Sequence, residues 1–145
     1  MTREYKNPLL SGKPCMIHEE FIPAMDLFCK YLSATGCRAD IISALRPDTN
    51  VLGAIVTPAQ MSNHLVGCAI DVNLFDKQGK RWNSKALESP KDEVLQFITL
   101  VRNSGILRWG GDFKKQDTVH FDNGLNLRNP KRWREIYNEI HNVVT

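Results

Sequence analysis

Residues 67–75, GCAIDVNLF, restrict the fold more than any other stretch of the chain. Apolar side chains recur at every second position. Cys68, Ile70, Val72 and Leu74 therefore share one face of an extended strand, and Ala69, Asp71, Asn73 and Phe75 share the other. Asp71 projects from the face opposite Ile70 and Val72. His64 lies seven positions before it, with a glycine and small or apolar residues between.

The segments around this strand alternate between helical and extended patterns. Residues 22–35, IPAMDLFCKYLSAT, place Ile22, Met25, Phe28 and Leu32 on one helical face, with Pro23 in the first turn and Gly36 as a stop. Residues 38–45 predict a strand, and residues 47–63 a loop. Residues 76–80, DKQGK, form a turn into a short returning strand at Arg81–Trp82. A helix is predicted over 90–103, with Ser89 as N-cap, Pro90 at the first helical position, and Val94, Phe97, Ile98 and Val101 on its apolar face. Short strands follow at 106–109 and 118–122. Asn129-Pro130 opens a last helix, KRWREIYNEIHNVV, with Trp133, Ile136, Tyr137 and Ile140 inward. The first fifteen or so residues show no periodicity and read as an irregular lead-in. The expected fold is a single α+β domain spanning 1–145, a small, mainly antiparallel sheet with flanking helices.

Length and composition exclude several classes. A chain of 145 residues with 42% apolar content builds an adequate core without disulfides or a structural metal. A metal bound here would therefore be functional. Net charge is +3, and Lys114-Lys115 and Lys131-Arg132 are short surface pairs with no nucleic-acid signature beside them. The four cysteines, Cys15, Cys29, Cys37 and Cys68, form no CxxC pair, so buried free thiols are expected. The opening MTREYKNPLLSGKPC lacks the apolar core of a secretory signal, and no apolar run is long enough to span a membrane. The expectation is synthesis in the cytoplasm, with another exit route for any work outside it.

The histidines carry the chemistry. His18, near the start of the first helix, and His141, near the end of the last, read as structural. His120 differs: it lies in WGGDFKKQDTVHFD, residues 109–122, with Asp117 three positions before it. A zinc hydrolase needs three protein ligands, an open position for water, and a nearby carboxylate to take that water's proton. His64, Asp71 and His120 are candidates for the ligands and Asp117 for the base. Spacing alone leaves a second reading open, in which these are polar residues at strand ends.

A resemblance favours the first reading. SNHLVGCAID, residues 62–71, fits SxHxxGxAxD at Ser62, His64, Gly67, Ala69 and Asp71. This pattern resembles the D-alanyl-D-alanine metallopeptidase family. That family includes D,D-carboxypeptidases, dipeptidases and the L-alanyl-D-glutamate endopeptidases of phage endolysins, and it is related to the hedgehog signalling domain. Its second element, a carboxylate, two residues, then histidine, is matched by Asp117-Thr118-Val119-His120 within a WGGD-to-HF context. Upstream, Ser43-Ala44-Leu45-Arg46 resembles the family's S-G-[YF]-R segment, with Ala44-Leu45 in place of its Gly-aromatic pair.

The resemblance implies one Zn2+ per chain on His64, Asp71 and His120. It implies Asp117 as general base and then proton donor to the leaving amine, and Arg46 at the scissile carbonyl, where a fixed cation would stabilise the oxyanion. Ser62 would hold the loop near the metal or contact substrate. Gly67 would permit close backbone approach, and Trp109 would either wall the substrate groove or join the core. Asp112 lacks the D-x-x-H spacing, and Cys68 falls on the core face of its strand.

An Asp rather than Glu at the base position resembles the endopeptidase branch. The implied substrate is a bacterial peptidoglycan stem peptide, cut by a monomeric enzyme acting on the cell wall after phage-type release. The alternatives are a D,D-carboxypeptidase and a non-catalytic, hedgehog-like zinc-binding module.

Overall fold

The computed structural model describes residues 1–46 and 61–141. Helix α1, Ile22–Thr35, matches the expected bounds. It buries Ala24, Met25, Phe28, Cys29 and Leu32, and it stops at Gly36, whose φ of 74° lets its N–H turn back to the Leu32 and Ser33 carbonyls. Helix α2, Asp92–Arg102, buries Val94, Phe97, Ile98 and Val101. Its start departs from the expected cap. Proline keeps the residue before it out of helical conformation. Ser89 accordingly closes a 3-10 turn at Ala86–Glu88, and extended Lys91 precedes the helix without a side-chain cap. Helix α3, Leu125–Arg128, leads into α4, Pro130–His141. Asn129 caps α4, its side-chain oxygen accepting the Arg132 N–H at 3.1 Å.

Eight strands are described: β1 (Thr2–Tyr5), β2 (Leu10–Gly12), β3 (Cys15–His18), β4 (Arg38–Ser43), β5 (Ala69–Phe75), β6 (Arg81–Trp82), β7 (Arg108–Trp109) and β8 (His120–Asp122). The main sheet runs β2-β4-β5-β8-β7, with β6 also on β5. It is antiparallel except for β2 beside β4, so the expected α+β architecture holds. The parallel pair requires a crossover, which α1 supplies.

The irregular lead-in expected for the first fifteen residues is incorrect. β1 pairs with β3, from Thr2 opposite His18 to Tyr5 opposite Cys15, and β2 forms the sheet edge. These strands are three or four residues long, so their pairing rests on distant partners and leaves no periodic trace. Of the expected 47–63 loop, residues 47–60 lie outside the described residues.

One face of the sheet packs under α1 and α2. Ile70, Val72 and Leu74 of β5 are fully buried, as the alternation requires. Phe121 of β8 lies opposite Ile70 and meets Phe28 of α1 and Phe97 of α2 edge-on, with ring centroids 5.2 and 5.9 Å away. The other face of β5 and β8 carries the polar cluster.

Candidate metal centre and active site

Register makes the site. In the β5–β8 ladder Asp71 stands directly opposite His120. Directly paired residues of an antiparallel ladder share a face, so carboxylate and imidazole emerge side by side, away from Phe121 and Ile70. His64 arrives from a 3-10 turn, Asn63–Val66. Ser62 caps that turn, its hydroxyl accepting the His64 N–H at 3.2 Å, and thus holds the loop. Gly67 ends the turn at φ 66°. A Cβ there would stand 2.5 Å from the His18 nitrogen, whose N–H donates to the Gly67 carbonyl. The C-terminal part of the chain fastens the same turn. Trp133 donates its indole N–H to the Ser62 carbonyl at 3.2 Å, Asn126 donates to the Met61 carbonyl at 3.0 Å, and His141 Nε2 donates to the Leu65 carbonyl at 2.7 Å.

The three candidate ligands are all buried, and one ligand atom of each lies within 4.8 Å of the others. His64 Nε2 is 3.2 Å and His120 Nδ1 3.3 Å from Asp71 Oδ1. A tetrahedral site with ~2.1 Å metal–ligand bonds has edges of ~3.4 Å, so these separations fit. The outward nitrogens settle the tautomers. His64 Nδ1 sits 2.7 Å from the Ala44 carbonyl, which can only accept, so Nδ1 carries the proton and Nε2 presents its lone pair inward. His120 Nε2 lies 2.7 Å from the Asp122 carboxylate and is likewise the protonated nitrogen, which leaves Nδ1 facing the cluster. The donor set suits a metal ion.

The charges are strongly coupled. Burial works against ionised Asp71, but His120 and His64 beside it hold its carboxyl well below the usual carboxylate range. Burial likewise opposes protonation of His120, yet the Asp122 and Asp71 carboxylates prevail and raise it to about 9. Asp122, also buried, is held down at about 2 by His120 and Arg108.

Asp117 stands at the mouth. Its side chain is half exposed, with Oδ2 4.0 Å from His120 Nδ1. Gly110 makes that approach possible: its carbonyl accepts the Asp117 N–H at 2.9 Å, and a Cβ on Gly110 would collide with the Asp117 carbonyl. Arg46, also half exposed, donates from Nη2 to Asp71 Oδ2 at 2.7 Å and from Nε to Ser43 Oγ at 3.2 Å. A register irregularity between Ile41 and Ser43 brings Ser43 opposite Asp71 and carries Arg46 to the rim.

Trp109 does not wall the groove. It is 3% exposed and donates its indole N–H to the Thr118 carbonyl, because it stands opposite Phe121 in the β7–β8 pairing and so shares the core face of the sheet. Asp112 is engaged elsewhere, by the Arg102 guanidinium. Cys68 is fully buried.

Two neighbours of the cluster escaped the sequence reading. Asp122 follows His120 by two positions, the strand period that puts both on one face, so alternation through TVHFD held a usable signal. Asn63, which donates to Asp122 at 3.2 Å and to Asn126 at 3.0 Å, left no signal beyond its place beside His64.

A small α+β domain with a buried His–Asp–His cluster and an acid at its mouth has the parts that metal-assisted hydrolysis needs. Residues 56–123 match the model of a peptidase family described as D-alanyl-D-alanine carboxypeptidase, and the chain resembles that family across all three candidate ligands and Asp117. Among solved structures, it is similar to the Serratia marcescens L-Ala D-Glu endopeptidase ChiX, at 21% identity over 75% of this chain and 81% of that one, with a TM-score of 0.44. That likeness is too loose to carry fold or activity across. No curated protein matches the chain.

Proposed function

We propose that the protein is a zinc-dependent peptidase that hydrolyses a stem-peptide bond of bacterial peptidoglycan, with the L-alanyl-D-glutamate bond as its target. The observation that carries this reading is the convergence of His64, Asp71 and His120 on one small volume with Asp117 at its open side. These three residues would hold the zinc, which when bound supplies Lewis acidity and lowers the pKa of water to roughly 7.

The remaining roles fall to the chain itself. Asp117 is exposed enough to meet substrate, and among the described residues its ion-pair neighbour is His120, 4.0 Å away. Asp117 takes the proton of the attacking water and returns it to the departing amine. Arg46 keeps one nitrogen on Asp71 and turns the rest of its guanidinium to the rim, where it would receive the developing oxyanion. Ser62 keeps His64 in place through the turn. The buried outward nitrogens of both histidines prevent their rings from rotating as substrate enters.

The family description favours a second reading, removal of a terminal D-alanine. Mass spectrometry of fragments released from purified peptidoglycan, with and without chelator, separates the two. New N-terminal D-glutamate, lost on chelation and restored by zinc, establishes the endopeptidase. Loss of D-alanine alone moves the enzyme to the carboxypeptidase reading. No cleavage by the zinc-loaded protein would sink both and leave a binding module.

A further inference from the structure

Asp122 is the most heavily bonded carboxylate in the described structure, and the roles above use only its bond to His120 Nε2. It is 2% exposed. Arg108 grips it with both prongs of the guanidinium, Nε to Oδ1 at 2.7 Å and Nη2 to Oδ2 at 2.8 Å. The Gly124 N–H donates to Oδ1 at 2.9 Å and Asn63 Nδ2 to Oδ2 at 3.2 Å. The remaining donor is His120 Nε2 at 2.7 Å. Arg108 is in turn stacked 4.7 Å over Phe113, whose ring stands 5.5 Å from that of His120.

Burying a carboxylate is costly unless it is fully paired, and here five donors do so. What the arrangement achieves is orientation. Asn63 and Gly124 flank the carboxylate, so it cannot swing, and Arg108 fixes its plane. The only direction left for His120 Nε2–H is toward Oδ2. That directs Nδ1, rather than Nε2, into the cluster. Asn63 adjoins His64, so the same carboxylate ties the histidine-bearing turn to the histidine-bearing strand.

We propose that Asp122, held by Arg108, is the positioning residue of the metal centre: it selects Nδ1 of His120 as the metal-facing nitrogen and locks the spacing between the two histidines. The inference rests on the zinc-site reading above but not on what the enzyme cleaves.

The test compares Asp122→Asn, Arg108→Leu and Arg108→Lys with the unaltered protein, by zinc titration against a chromophoric chelator and by long-range 1H–15N spectra of the zinc-loaded imidazoles. In the unaltered protein, His120 should carry its proton on Nε2, protected from exchange, with Nδ1 on the metal. Asp122→Asn should weaken zinc binding by about 10–100-fold, the usual effect of losing such a partner, and should expose the Nε2 proton to exchange. Arg108→Leu should lose less, and Arg108→Lys, which keeps the charge but not the fork, should fall between it and the unaltered protein. The arginine variants decide the matter if Asp122→Asn does not fold. Unchanged zinc affinity in the folded variants, or Nε2 coordination in the unaltered protein, overturns the proposal. Tight zinc with the expected ordering but no peptidoglycan cleavage would overturn the peptidase reading alone. No zinc binding by the unaltered protein would overturn both.

Discussion

Two residues at the mouth of the cluster give opposite kinds of failure. Asp117 touches the site from the solvent side, and its bond to a ligand, the carbonyl accepting the His120 N–H, is made by backbone that a side-chain substitution leaves alone. Asp117→Asn is therefore expected to lower turnover by about 10²–10⁴-fold, the range for a lost general base, while zinc content and melting temperature stay put. An unchanged cleavage rate would remove Asp117 from the mechanism. Gly110 acts through shape. A methyl group there meets the Asp117 carbonyl and lies 2.9 Å from His120 Cβ. Gly110→Ala should cost about 1–3 kcal/mol of stability as overpacking and should weaken zinc binding and activity together. Denaturant melts and zinc titration check both effects.

Of these residues, His64, Asp71, His120 and Asp117 were legible from spacing and motif, because local sequence sets which side chains a turn and a strand can present. Asp122 was harder to read. Its importance comes from Arg108 and Asn63, one on a neighbouring strand and one on a distant turn. Trp109 stayed open between groove wall and core, because an aromatic beside two glycines looks the same in sequence whichever way its strand faces, and only the fold put it in the core.

At the scale of elements, the helices were readable and the short strands were not. A helix of fourteen residues, like α1, repeats its apolar face several times and stops at a glycine that chemistry explains. A three-residue strand such as β2 repeats nothing, and its place is decided by β4. The junction of β3 with the first helical turn yields a pH prediction. His18 is fully buried and accepts the Glu20 N–H on Nδ1 at 3.0 Å. Burial, aided by the Met1 amine, lowers its pKa below 6.5. The folded state therefore binds fewer protons than the unfolded state. The stability contributed by neutral His18 is present in full above the unfolded pKa of 6.5 and is lost as pH falls below it toward the folded value. His120, raised to about 9, acts in the opposite sense, so the decline should be read as the difference in thermal melts between the unaltered protein and a His18 variant from pH 7.5 to 5.5, about one unit on either side of that value. His18→Asn, which retains an acceptor for the Glu20 N–H, should flatten it.

For the whole molecule, the core closes without help from a metal. α1 and α2 cover one face of the sheet with a continuous apolar cluster, and among the described residues no buried side-chain polar atom lacks a partner. The metal-free protein is expected to stay folded. Zinc at a thousandfold excess over its Kd should add about 4 kcal/mol, so chelation should lower the melting temperature and zinc restore it. A protein unmoved by either would not have the proposed centre. The four cysteines are free and buried, and burial pushes Cys15 and Cys68 up to about 12 and Cys29 to about 11. Thiol reagents at neutral pH should therefore label the native protein slowly and label all four thiols once it is denatured.

By itself the sequence determined the alternating strand that carries Asp71, the helices and their stops, the residue types able to bind a metal, and the family they resemble. All of these are local patterns, written within one turn or a few strand residues. Only the tertiary structure decided that Asp71 faces His120 across a ladder, that His64 offers Nε2 while His120 offers Nδ1, and that Asp122 and Arg108 stand behind the cluster. Those facts depend on strand register and on hydrogen bonds between segments far apart in the chain. A shift of one residue in the β5–β8 pairing would leave every motif intact and take the site apart.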